Sequence, residues 1–405
     1  MFQYCATVER SVPIMSDVNL LNLRECPNDE TRGSWKRQSG ATLIDASRKA
    51  AIYGVRHLLE SLDYHLMRGL APPEKVTMLL THRCNCRCAM CDLWRIRHVE
   101  NELPAERWLA LIDELRSWTR TVRLRFVGGE IFLKPGVYDI IRRAVHLGFT
   151  VNLVSNGLAL QSEANYRNLM NTGLRFITFS LDGQDAAVHD RNRGIPGLHN
   201  IVTELIRRIK RERPAMYVSL ICIIMRETVG QLAEYARWAE ELGVDRVFFQ
   251  PLSAPLGRQE RRADWHRESE SFIRDLDALD QSMDALSRWH RRSSRIEAPL
   301  RPLREVREYF ADPESFQISR GRCMLGQTDL QIDPSGTLYM CDAEHTSFGH
   351  VDDGPIWQAW RSERARAVRR AIRECRRPCC LACNRSPGLW EKALTFLRYA
   401  RSGGL

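Results

Sequence analysis

No apolar run in the 405 residues approaches the roughly 20 positions that a membrane-spanning helix needs. Met1 to Arg10 lacks the basic-then-apolar order of a secretory leader, so a cytoplasmic setting without membrane contact is the expectation. Internal repeats and low-complexity tracts are missing too, which excludes solenoids and fibrous arrays. Lysine is scarce: the 60 basic residues are nearly all arginine, mixed with acidic residues as over Arg258 to Arg274. The formal net charge of +10 raises nucleic acid as a partner. No strip interleaves aromatic with basic side chains, however, so solvated helix faces account for the charge and nucleic acid is set aside.

Cysteine is plentiful. Thirteen thiols in a reducing compartment point to metal binding or catalysis rather than disulfides. They cluster, four between Cys84 and Cys91 and four between Cys375 and Cys383. Cys84, Cys88 and Cys91 are spaced C-x3-C-x2-C directly after the apolar run Val76 to Leu80. Three thiolates on one short loop can hold three irons of a [4Fe–4S] cubane and leave the fourth without a protein ligand. An open coordination position separates a catalytic metal site from a structural one. Cys86 lies between these residues, out of register, and reads as a bystander with a swap in ligation as its alternative.

Short apolar runs alternate with helical patterns from Lys75 to Pro251. The strands expected are Val76–Leu80, Val122–Phe126, Thr150–Val154, Phe176–Leu181, Val218–Ile224 and Arg246–Gln250. The helices between them are Pro104–Ser117, Val137–Leu147, Glu163–Thr172, Leu198–Arg211 and Val229–Leu242. Such alternation predicts an α/β fold with a parallel sheet covered by helices, whose chemistry sits at the carboxyl ends of the strands. The cysteine loop follows the first strand, as that rule requires. Gly128-Gly129-Glu130 follows the second, Ser155-Asn156-Gly157 the third, and Ser180-Leu181-Asp182-Gly183 the fourth. The expected domains are an N-terminal extension with an amphipathic helix (1–70), the α/β domain (71–252), a helical connector (253–315) and a cysteine-bearing C-terminal domain (316–405).

Together these motifs resemble the radical S-adenosylmethionine (radical SAM) superfamily, with Met90 replacing the family's usual aromatic. The resemblance implies a partial (β/α)6 barrel and a SAM-binding [4Fe–4S] cluster on Cys84, Cys88 and Cys91. Gly128, Gly129 and Glu130 would hold the methionine amine of SAM. Ser155, Asn156, Ser180 and Asp182 would meet its ribose and carboxylate, and backbone near Ile223 its adenine. His189-Asp190-Arg191-Asn192-Arg193-Gly194 resembles the HDxxRG stretch of the branch carrying extra clusters, which gives Arg193 a bidentate pairing with the SAM carboxylate.

Gly336 to Cys341 and the later cysteines resemble SPASM/Twitch domains. Six cysteines from Cys323 onward suit the shorter Twitch form, with one auxiliary [4Fe–4S] cluster on Cys323, Cys341, Cys380 and Cys383. Cys375 and Cys379 compete for those places, and a structural zinc site is the plain alternative.

One auxiliary cluster implies hydrogen abstraction from a small molecule, followed by oxidation or dehydration, as in aminocyclitol dehydrogenases. A flavodoxin or ferredoxin would supply the electron. Epimerisation would need a hydrogen donor, for which Cys222 is the candidate if it faces the lumen. Peptide modification ranks second, because residues 1–70 look short of a leader-binding domain; tRNA modification is third. A zinc-dependent nucleic-acid-binding module is the reading from another class. Trp94, Arg95, Gln250, Glu344 and His345 are candidate pocket residues.

Overall fold

Strand β1 (Lys75–Leu79) buries Val76, Thr77 and Met78 in its middle, as a strand covered on both faces must. Five more strands follow at βα spacing: β2 (Arg123–Val127), β3 (Thr150–Ser155), β4 (Phe176–Ser180), β5 (Tyr217–Ile224) and β6 (Arg246–Pro251). Helices α1 (Ala105–Trp118), α2 (Val137–His146), α3 (Glu163–Met170), α4 (Ala186–Arg193), α5 (Leu198–Glu212) and α6 (Leu232–Glu241) connect them. In this computed structural model the described residues are 59, 62–96, 101–119, 122–255, 264–293, 303–316, 323–341, 346–375 and 379–380. All lie in one unit, Leu59–Arg385.

The sheet has nine strands in the order β6-β5-β4-β3-β2-β1-β7-β8-β9. The six expected strands pair in parallel, each with its sequence neighbour. The seventh neighbour was not expected. β7 (Asp329–Ile332), from the C-terminal region, pairs in parallel with β1, and Lys75 forms an ion pair with Asp329 where they begin. β8 (Thr337–Tyr339) and β9 (Gly349–His350) then turn back antiparallel. The cysteine-bearing region thus continues the sheet of the α/β domain. A turn bond adds to this, the Leu103 amide donating to Pro334 O at 2.7 Å.

One face of the parallel strands is apolar and packs on the helices, through Val76, Leu124, Leu153, Phe179, Leu220 and Val247 among others. In the connector Trp265, Phe272, Leu279, Met283 and Leu286 are buried and Leu276 partly so, the last four of these on α7 (Leu276–Ser293). Tyr309 of α8 (Leu303–Ala311) stacks edge-on against Phe272 and donates to Leu252 O at 2.7 Å. The last helices among the described residues are α9 (Ile356–Arg361) and α10 (Glu363–Arg373). Of the expected N-terminal helix, Leu62–Leu66 is helical, and residues 1–58 lie outside the described ones. No helix among the described residues is long and apolar enough to cross a membrane.

Candidate iron–sulfur and SAM site

The cysteine loop leaves the carboxyl end of β1 and is held on two sides by backbone. On the β2 side, the Gly129 amide donates to Thr81 O at 2.9 Å and the Glu130 amide to Arg83 O at 2.7 Å. A Cβ on Gly129 would stand 2.3 Å from Arg83 O, and one on Gly128 2.7 Å from Thr81 O. Both glycines are needed because the loop backbone passes over them, and the Gly129 amide is bonded there rather than open to a ligand. On the opposite side α4 ends against the loop. The Arg87 amide donates to Arg193 O and the Ala89 amide to Asn192 O, both at 2.9 Å. Gly194 caps this end at φ +68, where a Cβ would lie 2.8 Å from Arg87 O.

Cys88 is buried, and Cys84 and Cys91 are half-buried. Polar donors point at two of the sulfurs: Asn156 Nδ2 lies 3.9 Å from Cys84 Sγ and Arg193 Nη1 3.8 Å from Cys88 Sγ. Cys86 is buried between them, its amide donating to Cys84 Sγ at 3.4 Å. Its thiol hydrogen-bonds both neighbours and is itself held far above the ordinary range by them. Contact with Cys86 draws Cys84 down; the same contact, helped by the Arg193 charge, brings Cys88 to about 6. Burial pushes Cys91 up to about 11. Three thiols on one loop, with donors directed at sulfur, fit a cubane cluster held by three cysteines. Cys86, read as a bystander to ligation, touches two of the three.

Glu130 is fully buried and ties the end of β2 to that of β3. Its carboxylate accepts from the Phe132 amide (3.2 Å), Ser155 Oγ (2.9 and 3.1 Å) and the Asn156 amide (2.8 Å). Burial outweighs these bonds and raises its pKa to about 7. Asn156 so positioned donates from Nδ2 to Asn85 Oδ1 at 2.8 Å, which joins β3 to the cysteine loop. Asp182, also fully buried, accepts from Arg193 Nε at 2.7 Å and from the Ile223 amide at 3.3 Å. Its own amide donates to His189 Nδ1 at 3.0 Å. Burial first, then the Arg193 charge, hold the His189 imidazole down to about 4. The structure thus brings Gly128, Gly129, Glu130, Ser155, Asn156, Asp182 and Arg193 around one loop, with Ser180 half-buried at the end of β4. The Ile223 amide, in the backbone expected near adenine, donates to Asp182.

Cys222 does not meet the condition, facing the lumen, on which it was a candidate donor. It pairs in register with Phe249, whose ring meets Tyr235 of α6 edge-on, so this register position lies on the helix side of the sheet. Cys222 is buried there, its pKa raised well above the ordinary thiol value by burial, and it does not face the lumen as a hydrogen donor must.

Cys323, Cys341 and Cys380 are buried, while Cys375 and Cys379 are half-buried. Cys383, Glu344 and His345 lie outside the described residues. Gln250, at the end of β6, donates to Cys380 O at 3.2 Å, and so links the barrel mouth to the second cysteine set. Trp94 Nε1 donates to Cys88 O at 3.3 Å, with Arg95 stacked over its ring.

Sequence reasoning missed a polar row on the lumen face. Gln331, Thr77, Arg125 and Asn152 stand in register across β7, β1, β2 and β3, and Thr178 Oγ1 donates to Asn152 Oδ1 at 3.1 Å. The alternations Arg123-Leu124-Arg125-Phe126 and Thr150-Val151-Asn152-Leu153 are its traces in sequence.

Comparison with known proteins agrees with this geometry. Residues 78–239 match the model of the Radical SAM superfamily, and residues 323–384 that of an iron–sulfur cluster-binding domain, SPASM. The PqqA peptide cyclase of Granulibacter bethesdensis is 27% identical over 182 residues, 45% of this chain and 48% of that protein. The chain therefore spans about half the length of that relative. The PqqA peptide cyclase of Gluconobacter oxydans is 24% identical over 297 residues, 72% of this chain and 77% of that one. Streptococcus suis SuiB, solved bound to precursor peptide SuiA, superposes with a TM-score of 0.57 at 15% identity, covering 93% of this chain and 82% of SuiB. These two domains imply a SAM-binding [4Fe–4S] cluster and auxiliary iron–sulfur binding. A closer similarity to aminocyclitol dehydrogenases is not carried by these matches. The chain is built of a radical SAM domain, of parallel α/β architecture, followed by a C-terminal SPASM domain.

Proposed function

We propose that this protein is a radical SAM enzyme that modifies a peptide, removing a hydrogen atom from a carbon of the bound chain. The observation that carries a peptide over a small molecule is the alignment with the PqqA peptide cyclase of Gluconobacter oxydans over 72% of this chain. The small-molecule expectation rested on a single auxiliary cluster and on the brevity of residues 1–70, of which 1–58 lie outside the described residues.

When bound, the cluster and SAM supply a one-electron source and a strong abstractor of hydrogen atoms. In this reading Cys84, Cys88 and Cys91 hold the cluster. Glu130 fixes the Ser155-Asn156 turn beside it, while Gly128, Gly129, Ser155, Asn156, Ser180, Asp182 and Arg193 form the SAM cradle. Buried Asp182 and Glu130 make that cradle dry and preorganised. The polar lumen row suits a substrate with hydrogen-bonding groups of its own, as a peptide backbone has. Cys323, Cys341, Cys380 and Cys383 are the proposed auxiliary ligands, and a flavodoxin or ferredoxin the electron donor. A cross-link agrees with this arrangement better than epimerisation through Cys222, which lies on the wrong side of the sheet.

The test is to incubate anaerobically reconstituted protein with SAM, dithionite and deuterated candidates, both precursor-type peptides and aminocyclitols. Deuterium should pass from peptide into 5′-deoxyadenosine, with loss of two hydrogens from the peptide mass. Transfer from aminocyclitols alone would overturn the peptide reading.

A further inference from the structure

Helix α4 meets the cysteine loop twice. Its last carbonyls hold the loop backbone at Arg87 and Ala89. Its buried His189 and Arg193, with Asp182 of the loop after β4 between them, make a line that ends on a ligand sulfur. His189 Nδ1 accepts the Asp182 amide at 3.0 Å, Asp182 Oδ2 accepts Arg193 Nε at 2.7 Å, and Arg193 Nη1 reaches Cys88 Sγ at 3.8 Å. His189, Asp182, Arg193 and Cys88 are all buried, so water screens the guanidinium charge weakly.

Hydrogen bonds to sulfur and the local net charge are among the factors that set an iron–sulfur potential. A cation against the sulfur favours the more negative, reduced state. We propose that Arg193, aimed by Asp182 and His189, raises the reduction potential of the cluster that Cys88 helps to hold. His189 is a positioning residue here: it touches neither sulfur nor SAM, and acts by pinning the Asp182 backbone. The inference rests on the assignment of the cluster to this loop. It is independent of any contact between Arg193 and SAM, because it operates in the SAM-free protein.

The test is a redox titration of reconstituted protein without SAM, followed by electron paramagnetic resonance, beside iron and sulfide analysis of each variant. Wild type without iron would overturn the cluster assignment, and the proposal with it. With iron content equal to wild type, Arg193→Gln is expected at a more negative potential, and Arg193→Lys, which keeps the charge, nearer to wild type. His189→Leu should shift the same way by less. His189→Asn, whose Oδ1 can accept the same amide, should restore the wild-type value. The double variant His189→Leu/Arg193→Gln should match Arg193→Gln alone, as residues acting through one another do. Arg193→Gln at the wild-type potential with full iron overturns the proposal, and an additive double variant overturns the role of His189. The two arginine variants decide the main claim even where His189→Leu does not fold.

Discussion

Glu130 shows how much of the site hangs on single buried groups. Its carboxyl is shared between the ends of β2 and β3, and burial lifts its pKa from the ordinary 4.5 to about 7. The folded chain therefore binds this proton more tightly than the unfolded chain does. That stabilisation is complete below pH 4.5, declines as pH rises through the window from 4.5 to 7, and is gone above it. The window corresponds to about 3 kcal/mol. Chemical denaturation of the cluster-free protein from pH 4.5 to 7.5 should show wild type losing about that much more stability than Glu130→Gln. Parallel curves would mean that Glu130 does not titrate there. The Gly-Gly-Glu stretch was legible in the sequence as a site element, but its physics was not. That the glycines serve the passage of the loop, and that the carboxyl serves the Ser155-Asn156 turn, depends on long-range backbone approach.

At the scale of elements, the six strands and five of the helices follow from period and length, since each buries an apolar face. α4 left no such trace, because the face it buries is polar: His189, Asn192 and Arg193. Only its caps mark it, Asp185 accepting from the Ala187 amide and Gly194 in the left-handed region. The β1–β7 pairing was equally hidden, for parallel strands some 250 residues apart share no local signal. The side of the sheet on which Cys222 lies also cannot be read from a run that is apolar at nearly every position.

Another invisible device is Arg369 on α10. It is buried, with its pKa lowered to about 10 by burial, and donates to Gly326 O (2.8 Å), Trp360 O (2.8 Å) and Met67 O (3.5 Å). Gly69 leaves room for it, since a Cβ there would stand 2.8 Å from Arg369 Nη2. Arg369→Met would strand these carbonyls. Urea denaturation should show a loss of about 3 kcal/mol or more. A loss under about 0.5 kcal/mol, the range of an ordinary surface change, would contradict this account.

For the molecule as a whole, one sheet carries both cysteine sets. The first loop caps β1, β7 extends the same sheet from the second region, and Gln250 reaches Cys380 across the mouth. This continuity places the two cysteine-bearing regions on one sheet. The composition foretold the metal chemistry, and the spacing Cys84, Cys88, Cys91 foretold its kind. The substrate class was not legible, because it depends on the lumen surface and on a partner that the chain does not encode. The central claim is that this one loop holds the iron on which SAM is broken. It is tested most directly by measuring 5′-deoxyadenosine from anaerobically reconstituted wild type and from the Cys84→Ala/Cys88→Ala/Cys91→Ala variant, with SAM and dithionite. Wild type should release it, and the triple variant should fall to the background of protein-free controls while keeping iron on the second cysteine set; equal release from both would contradict the account.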